Sequence, residues 1–204
     1  YYYISDIKVD SSGNVYVTGY GSNLVNANSG NDWWIKKYSS AGVEDTVNWD
    51  KKVNYSGNSS DIPNAMAIDS AGNIYVVGSV STSGWWLKKF SGSGVEDTSG
   101  WNKYLGGTLS EPTAIAIDTA GQIYVAGYGE DLVGTNTNRD WLIRKFSAAG
   151  VEDMGWNKKI NGSGASDNGI TAIATDSANN LYVAGYAYKL VNTNSMDDWW
   201  IKKF

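Results

Sequence analysis

Three acidic pairs are the residues of this sequence best suited to acid–base chemistry. Each pair follows a Gly-Val dipeptide, and the pairs are Glu44-Asp45, Glu96-Asp97 and Glu152-Asp153. Neighbouring carboxyl groups in different environments can serve as general acid and general base. A catalytic pair is needed only once, however, and this pattern recurs three times. We therefore expect a structural role.

Basic residues upstream offer these acids a partner. If residues 39–42 form a four-residue turn, Lys37 lies opposite Glu44 and Lys36 lies opposite Asp45. The same count pairs the corresponding residues of the other two copies. Opposite charges that face each other across a hairpin stabilise it by about 0.2–1 kcal/mol. The spacing thus predicts cross-strand ion pairs.

Four aromatic segments, residues 32–38, 84–90, 140–146 and 198–204, are the best candidates for ligand recognition. A tryptophan ring can stack on a sugar, and an adjacent aspartate can accept hydrogen bonds from its hydroxyl groups. The candidate ligand-binding residues are Asp32, Trp33, Trp85, Asp140, Trp141, Asp198 and Trp199. Neighbouring side chains of a strand point to opposite faces, so at most one tryptophan of a doublet can be exposed. Packing in a core is the competing interpretation.

A single aspartate opens each of four short polar segments, at Asp10, Asp69, Asp118 and Asp176. Calcium takes six to eight oxygen ligands, which is more than one aspartate and its Ser, Thr and Asn neighbours provide. Asp and Asn bond locally to the backbone, and Gly accepts a positive φ angle. We expect hairpin turns here and no metal site.

Composition excludes several classes of function. The 204 residues include no Cys and no His, which removes disulfides, thiolate chemistry and the commonest general base. The net charge of −5 argues against nucleic acid as a partner. No apolar stretch approaches the ~20 residues that span a bilayer, so we expect no membrane insertion. We expect no cofactor and no catalytic residue.

These segments belong to one internal repeat, which predicts four strands per copy. A short strand rich in small residues, such as 114–117, leads through the Asp turn into a Tyr-Val strand. The aromatic segment is the third strand, and the fourth begins near Trp49, Trp101 or Trp156. No segment shows helical periodicity over ten or more residues. The chain is predicted to be all-β.

The strands are apolar on both faces, which predicts sheets covered on both sides. Four-stranded antiparallel sheets that repeat along the chain and pack face to face are the blades of a β-propeller. Alanines on the innermost strand suit the crowding near the axis. Tryptophan and phenylalanine further out fill the wedge between neighbouring blades.

The repeated string Ala-Ile-Ala-Ile-Asp-x-x-Gly-x-Ile-Tyr-Val-x-Gly, followed by Asp-Trp-Trp-Ile-Lys-Lys-Phe, resembles the bacterial SBBP β-propeller repeat. It is similar, more distantly, to NHL repeats. The resemblance covers nearly the whole chain. It implies a propeller fold and says almost nothing about activity, because propellers serve as scaffolds, lectins and enzymes.

The repeats define one propeller region, residues 1–204, with blades at approximately 5–53, 64–105, 113–160 and 171–204. About four blades are therefore present, and the last one lacks its outer strand. Residues 1–4 are expected in the loop before the first strand. An arc of a larger ring is the preferred architecture, and a self-closed ring of four blades is the alternative.

A loop between the second and third strands varies in length. Repeats one, three and four insert a Leu-Val pair and an Asn-rich segment, at 24–31, 132–139 and 190–197, whereas repeat two has only residues 78–84. Loops on one face of a propeller are natural contact surfaces. Three similar loops would suit a repetitive partner, although capping of the blade is the simpler role.

Regular repetition without a unique polar cluster favours a non-catalytic structural or interaction module of a secreted or surface-exposed bacterial protein. Its partner would be a protein, a glycan, or further blades from the same or another chain. The alternative is a lectin with one aromatic site per blade, which requires solvent-exposed tryptophans. An enzyme is not expected, because active sites break symmetry and the acidic positions repeat. Location outside the cell or at its surface is the accompanying expectation.

Overall fold

In a computed structural model, the structure describes residues 1–81, 84–106, 109–130, 132–133, 138–161, 167–188 and 197–204. Within these ranges the chain forms strands and no helix, so the all-β prediction is confirmed. None of these residues contributes a helix that is long and apolar enough to cross a membrane.

The strands pair in chain order and antiparallel within four sheets. The first sheet contains β1 (Tyr2–Val9), β2 (Val15–Ser22), β3 (Asn31–Tyr38) and β4 (Lys51–Val53). The second contains β5 (Asp61–Ile68), β6 (Ile74–Val80), β7 (Gly84–Phe90) and β8 (Lys103–Gly106). The third contains β9 (Glu111–Ile117), β10 (Ile123–Glu130), β11 (Arg139–Phe146) and β12 (Lys158–Ile160). The fourth contains β13 (Gly169–Thr175), β14 (Leu181–Tyr188) and β15 (Asp197–Lys203). These are the predicted propeller blades, the last with three strands.

The chain divides into two compact units, Tyr1–Leu105 and Gly106–Phe204. The first unit holds the first two sheets, and the second unit holds the other two. Each unit has its own apolar core between its two sheets.

The first hairpin of every sheet is built by its aspartate. Asp10 Oδ1 accepts hydrogen bonds from the backbone amides of Ser12 and Asn14, both at 2.9 Å, and Gly13 has a φ of 79°. Asp69, Asp118 and Asp176 make the corresponding amide contacts. These carboxylates serve the turn, and among the described residues no group of three or more acidic side chains is placed to hold a metal.

The first strands are longer than the sequence predicts. Residues 2–4 were expected in a loop, but they belong to β1 and pair with β2 as far as Tyr2 opposite Gly21. A bulge between Ile4 and Asp6 makes this extension possible. The register shifts by one residue there, with Ile4 opposite Gly19 and Asp6 opposite Thr18, and pairing continues on both sides of the bulge. The same irregularity occurs between Pro63 and Ala65 in β5.

Candidate functional site

The predicted ligand-binding tryptophans differ in exposure. Trp33 and Trp141 are 0% exposed and Trp85 is 1% exposed, whereas Trp199 is 91% exposed. Stacking on a sugar needs an open ring face. Three of the four positions required by a lectin with one site per blade are therefore closed to solvent in the structure, and Trp199 alone is open.

Sheet-on-sheet packing explains this burial. In the first unit, the rings of Trp33 and Trp86 lie 4.7 Å apart between the two sheets. In the second unit, Trp141 and Trp200 make the same contact at 4.6 Å. The first tryptophan of one sheet thus packs against the second tryptophan position of the next.

The predicted aspartates anchor the inserted loops. Asp32 is 0% exposed, and its Oδ2 accepts hydrogen bonds from the amides of Leu24 at 2.6 Å and Val25 at 3.0 Å. Asp140, also 0% exposed, accepts one from the amide of Val133 at 2.8 Å. Asp198 is half-buried, and the loop before it (190–196) lies outside the described residues.

A signal for this role was present in the sequence. The repeat with the short loop has Gly84 where the three repeats with an insert have an aspartate. Loop insertion and aspartate therefore occur together, which fits an anchor better than a ligand contact.

The acidic pairs also bond differently from the prediction. Lys36 contacts Glu44 at 2.6 Å and Arg144 contacts Glu152 at 3.2 Å. Lys88 pairs with Glu96 in the same way. The predicted pairings of Lys37 with Glu44 and of Lys36 with Asp45 are wrong by one residue.

Turn geometry causes the shift. The amide of Ser39 bonds to the carbonyl of Val43 at 2.8 Å, so Ser39 belongs to the ladder and the turn is one residue shorter than expected. Gly42, with a φ of 78°, permits this tight connection. Tyr38 then lies opposite Glu44.

Each sheet has two distinct faces, which we name from the third strand. The trailing face carries the first position of the aromatic doublet, such as Trp33 with Ile35, and the leading face carries the second, such as Trp34 with Lys36. Inside each unit, the trailing face of one sheet packs on the leading face of the next. In the part of the chain that the structure describes, no sheet of the same unit covers the first sheet's leading face or the fourth sheet's trailing face, and both faces carry open side chains, such as Ile4 at 78% and Trp199 at 91% exposure.

The open leading face of the first sheet forms an aromatic groove of about 600 Å³. Its lining is apolar and aromatic apart from one lysine, and consists of Tyr2, Tyr3, Ile4, Val17, Gly19, Tyr20, Trp34, Lys36 and Tyr38. Within the groove, the ring of Tyr2 lies 5.4 Å from that of Trp34. The rings of Tyr3 and Tyr20 stack at 5.1 Å, but Tyr20 lies opposite Trp33, so this pair belongs to the trailing side of the sheet. This groove is the candidate functional site.

The polar groups of the groove are paired. Lys36 Nζ lies 4.3 Å from the centre of the Trp34 ring, and its hydrogen bond to Glu44 raises the pKa of Lys36. The indole N–H of Trp34 donates to Asp50 at 2.5 Å, and this bond lowers the pKa of Asp50. Both groups stay charged near neutral pH, so the groove offers an apolar surface bordered by one ion pair and one indole–carboxylate hydrogen bond.

A second acidic feature joins the two sheets of the first unit. Asn31 and Ser60 form a parallel bridge, which brings the following residues, Asp32 and Asp61, side by side. Both aspartates are 0% exposed. Burial is the main cause of a raised pKa at Asp61; hydrogen bonds from the Tyr55 amide and Ser59 oppose it, and the charge of Asp32 reinforces it.

Sequence analysis did not single out the groove. Alternation places Trp34 and Val17 on one face, but no pattern says whether another sheet covers that face. Tyr2 and Tyr3 do distinguish this repeat, because the corresponding positions of the second repeat are Asp61 and Ile62.

Comparison with known families identifies the repeat. Residues 55–79 match the SBBP family, described as a beta-propeller repeat. The chain contains an SBBP β-propeller repeat. The matched residues lead into the second sheet and include β5 and most of β6, whose turn carries the Asp69 motif. No curated protein matches the chain.

Solved structures share the fold of this SBBP-repeat chain at low identity. A structure of an ulvan lyase, from a new family of polysaccharide lyases, has a TM-score of 0.56 at 11% identity and covers 97% of this chain and 54% of its own. A second structure of ulvan lyase has a TM-score of 0.54 at 13% identity, with the same coverage. An α-L-arabinanase from Cellvibrio cellulosa has a TM-score of 0.45 at 12% identity and covers 97% of this chain and 72% of its own. The chain thus spans about half of the ulvan lyase structures.

This comparison corrects one prediction. The repeated acidic positions led us to expect that the chain is not an enzyme. That expectation is wrong, because a polysaccharide lyase has the same kind of fold. At 11% identity the likeness shows the fold alone, and the lyase activity belongs to that protein.

Proposed function

We propose that this chain is a protein-interaction module that binds its partner by face-to-face packing of β-sheets. The open leading face of the first sheet would be the contact surface. The partner would present an apolar sheet face with an aromatic side chain to pack beside Trp34.

The observation that carries the proposal is a difference in burial at equivalent positions. Val17 is half-buried, whereas Val76 of the second sheet and Val183 of the fourth are 0% exposed. Trp34 is likewise half-buried, and its counterpart Trp86 is 3% exposed. The first sheet therefore has the side chains of a packed interface without the covering sheet. Contiguous apolar surface of this kind is typical of interaction sites.

The charges of this face do not prevent docking. Lys88, which corresponds to Lys36, is 4% exposed in the packed interface of the second sheet and keeps its partner Glu96 there. An ion pair at this position is thus compatible with a covering sheet. Lys36 with Glu44 would enter an interface already paired, which avoids an unpaired buried charge.

Sedimentation equilibrium over a range of protein concentrations tests the proposal. Wild-type chain should associate as concentration rises, and Trp34→Glu and Val17→Glu should each weaken that association. Val47→Glu is the control, because Val47 is 88% exposed in the loop after β3 and lies outside the face. Far-ultraviolet circular dichroism checks that each variant is folded. A wild-type chain that stays monomeric throughout would contradict the proposal.

Carbohydrate binding is a second candidate, favoured by the tyrosine end of the groove. Tyr2 is 68% exposed and its ring lies 5.4 Å from that of Trp34 in the groove, so the two rings offer open aromatic surface for a sugar ring. A soluble-oligosaccharide titration that follows tryptophan and tyrosine fluorescence tests this candidate. A signal that disappears in Tyr2→Ala supports it, and no signal across a panel of neutral and acidic oligosaccharides contradicts it.

The location of the module is also a proposal. We propose that it works outside the cell or at the cell surface, which is compatible with a chain free of cysteine. Protease shaving of intact expressing cells should release its peptides, and protection until lysis would contradict this location.

A further inference from the structure

The fourth sheet exposes the counterpart of the first sheet's open face. On its trailing face Tyr182 is 37% exposed, Trp199 is 91% exposed and Ile201 is 69% exposed. The corresponding residues of the first sheet are Tyr16, Trp33 and Ile35, which are 1%, 0% and 0% exposed. Those three pack on the leading face of the second sheet.

One chain therefore carries both halves of its own internal interface, each uncovered within its unit. The leading half is represented by Trp34 and the trailing half by Trp199. Two internal contacts show how such halves meet: Trp33 with Trp86 in the first unit, and Trp141 with Trp200 in the second. The two distances, 4.7 Å and 4.6 Å, are nearly the same, so the contact is a reproducible feature of the repeat.

The surroundings of Trp34 leave room for that contact. In the second sheet, Trp86 has Tyr55 at 5.4 Å on one side and Trp33 at 4.7 Å on another. Trp34 has Tyr2 at the equivalent distance of 5.4 Å. Among the described residues, no tryptophan occupies the place beside Trp34 that Trp33 occupies beside Trp86.

We infer that the partner of the open leading face is the open trailing face of a second copy of this chain, with Trp199 of one copy packed against Trp34 of the other. The inference rests on the proposed function and names its partner. Such an interface is heterologous, since the two copies use different surfaces. A docked pair keeps one free leading face on one copy and one free trailing face on the other, so association continues from copy to copy until the free faces meet or are capped.

Complementation between two variants tests the head-to-tail arrangement. Trp34→Glu disables the leading face, and Trp199→Glu disables the trailing face. Each variant alone then lacks one half of every possible interface, so its self-association constant should fall roughly 30-fold or more, the loss expected for an interface hot spot. Mixed together, the two variants retain one intact interface and should form a 1:1 dimer that grows no further. Native mass spectrometry and sedimentation velocity distinguish dimer from larger species.

The outcomes separate this inference from the proposed function. If Trp199→Glu associates like the wild type while Trp34→Glu does not, the leading face binds a different surface, and the inference is overturned while the proposed function stands. Wild-type-like association of both variants would mean that neither face is needed for the contact, and it would overturn the inference and the proposed function together. A wild type that is monomeric at all concentrations overturns both. Because Trp199 is 91% exposed, its substitution leaves folding intact, and Val47→Glu again serves as the control.

Discussion

The indole rings of Trp33 and Trp86 lie 4.7 Å apart at an interplanar angle of 51°, one from each sheet of the first unit. Aromatic pairs favour such tilted contacts over a direct face-to-face arrangement. The pair joins a trailing face to a leading face, and Trp141 with Trp200 repeats it in the second unit. This contact explains the burial of Trp33 and Trp141 and underlies the proposed mode of association.

Equivalent tryptophans should differ greatly in their contribution to stability. Trp33→Ala removes a fully buried ring and should lower the free energy of unfolding by about 3–5 kcal/mol. Trp199→Ala changes the same repeat position where the ring is exposed, and in dilute solution it should shift stability by less than about 0.5 kcal/mol. Urea denaturation followed by circular dichroism measures both. Similar losses for the two variants would contradict the packing described here.

Asp32 should control the order of its loop. Asp32→Ala leaves the amides of Leu24 and Val25 without their acceptor, at a cost of about 1–3 kcal/mol. Hydrogen exchange should quicken at those two amides and remain unchanged at the Met66 amide, whose acceptor is Asp6. Unchanged protection at Leu24 and Val25 would show that the aspartate has another role.

The paired aspartates should make stability depend on pH. Because the folded-state pKa of Asp61 is raised, the folded chain binds this proton more tightly than the unfolded chain does. The free energy of unfolding should therefore fall as pH rises from the unfolded value, about 4, through the raised value. Asp61→Asn should remove this decline and raise the free energy of unfolding at neutral pH, because the amide carries no charge to bury. Asn168, buried at the corresponding position of the fourth sheet, shows that asparagine is tolerated there.

Asp50→Asn is the matched comparison for that experiment. The bond from Trp34 lowers the pKa of Asp50, so its contribution is present above the unfolded pKa and is lost as pH falls through the lowered value. Replacing it should destabilise the chain at neutral pH, opposite in sign to Asp61→Asn. Stability profiles between pH 3 and pH 8, from thermal melts, measure both slopes; slopes of the same sign would contradict these assignments.

The Lys36–Glu44 and Lys88–Glu96 ion pairs should contribute differently to the free energy of unfolding because their burial differs. Lys36 and Glu44 have side chains 23% and 28% exposed, so Glu44→Gln should cost less than about 1 kcal/mol. Lys88 is 4% exposed, and Glu96→Gln leaves its charge unpaired, which should cost about 1–3 kcal/mol. Added salt should reduce the destabilisation caused by Glu44→Gln more than the destabilisation caused by Glu96→Gln. Equal losses of stability for the two variants would mean that water reaches Lys88 on the second sheet's leading face more easily than its burial indicates.

Periodicity and turn chemistry determined the fold class of this chain from sequence. The Asp10 turn and its three copies mark the first hairpins, because a local carboxylate–amide contact needs only a few neighbouring residues. The strand count followed for the same reason, down to the three-stranded last sheet. Register was predicted less well. A hydrogen bond from the serine amide to the valine carbonyl shortens each turn, from Ser39 to Val43, Ser91 to Val95 and Ser147 to Val151, so each ion pair differs by one position from its prediction.

Only the tertiary structure decided which tryptophans are covered. Trp33 and Trp199 occupy the same position of the same motif, and their local sequences are almost identical. Their exposures of 0% and 91% depend on whether another sheet packs against that face. Local sequence specifies strands and turns through contacts between near neighbours, whereas burial is set by residues far away in the chain. For that reason the sequence established the repeat, and the packing of sheets revealed the groove at Trp34 and its counterpart at Trp199.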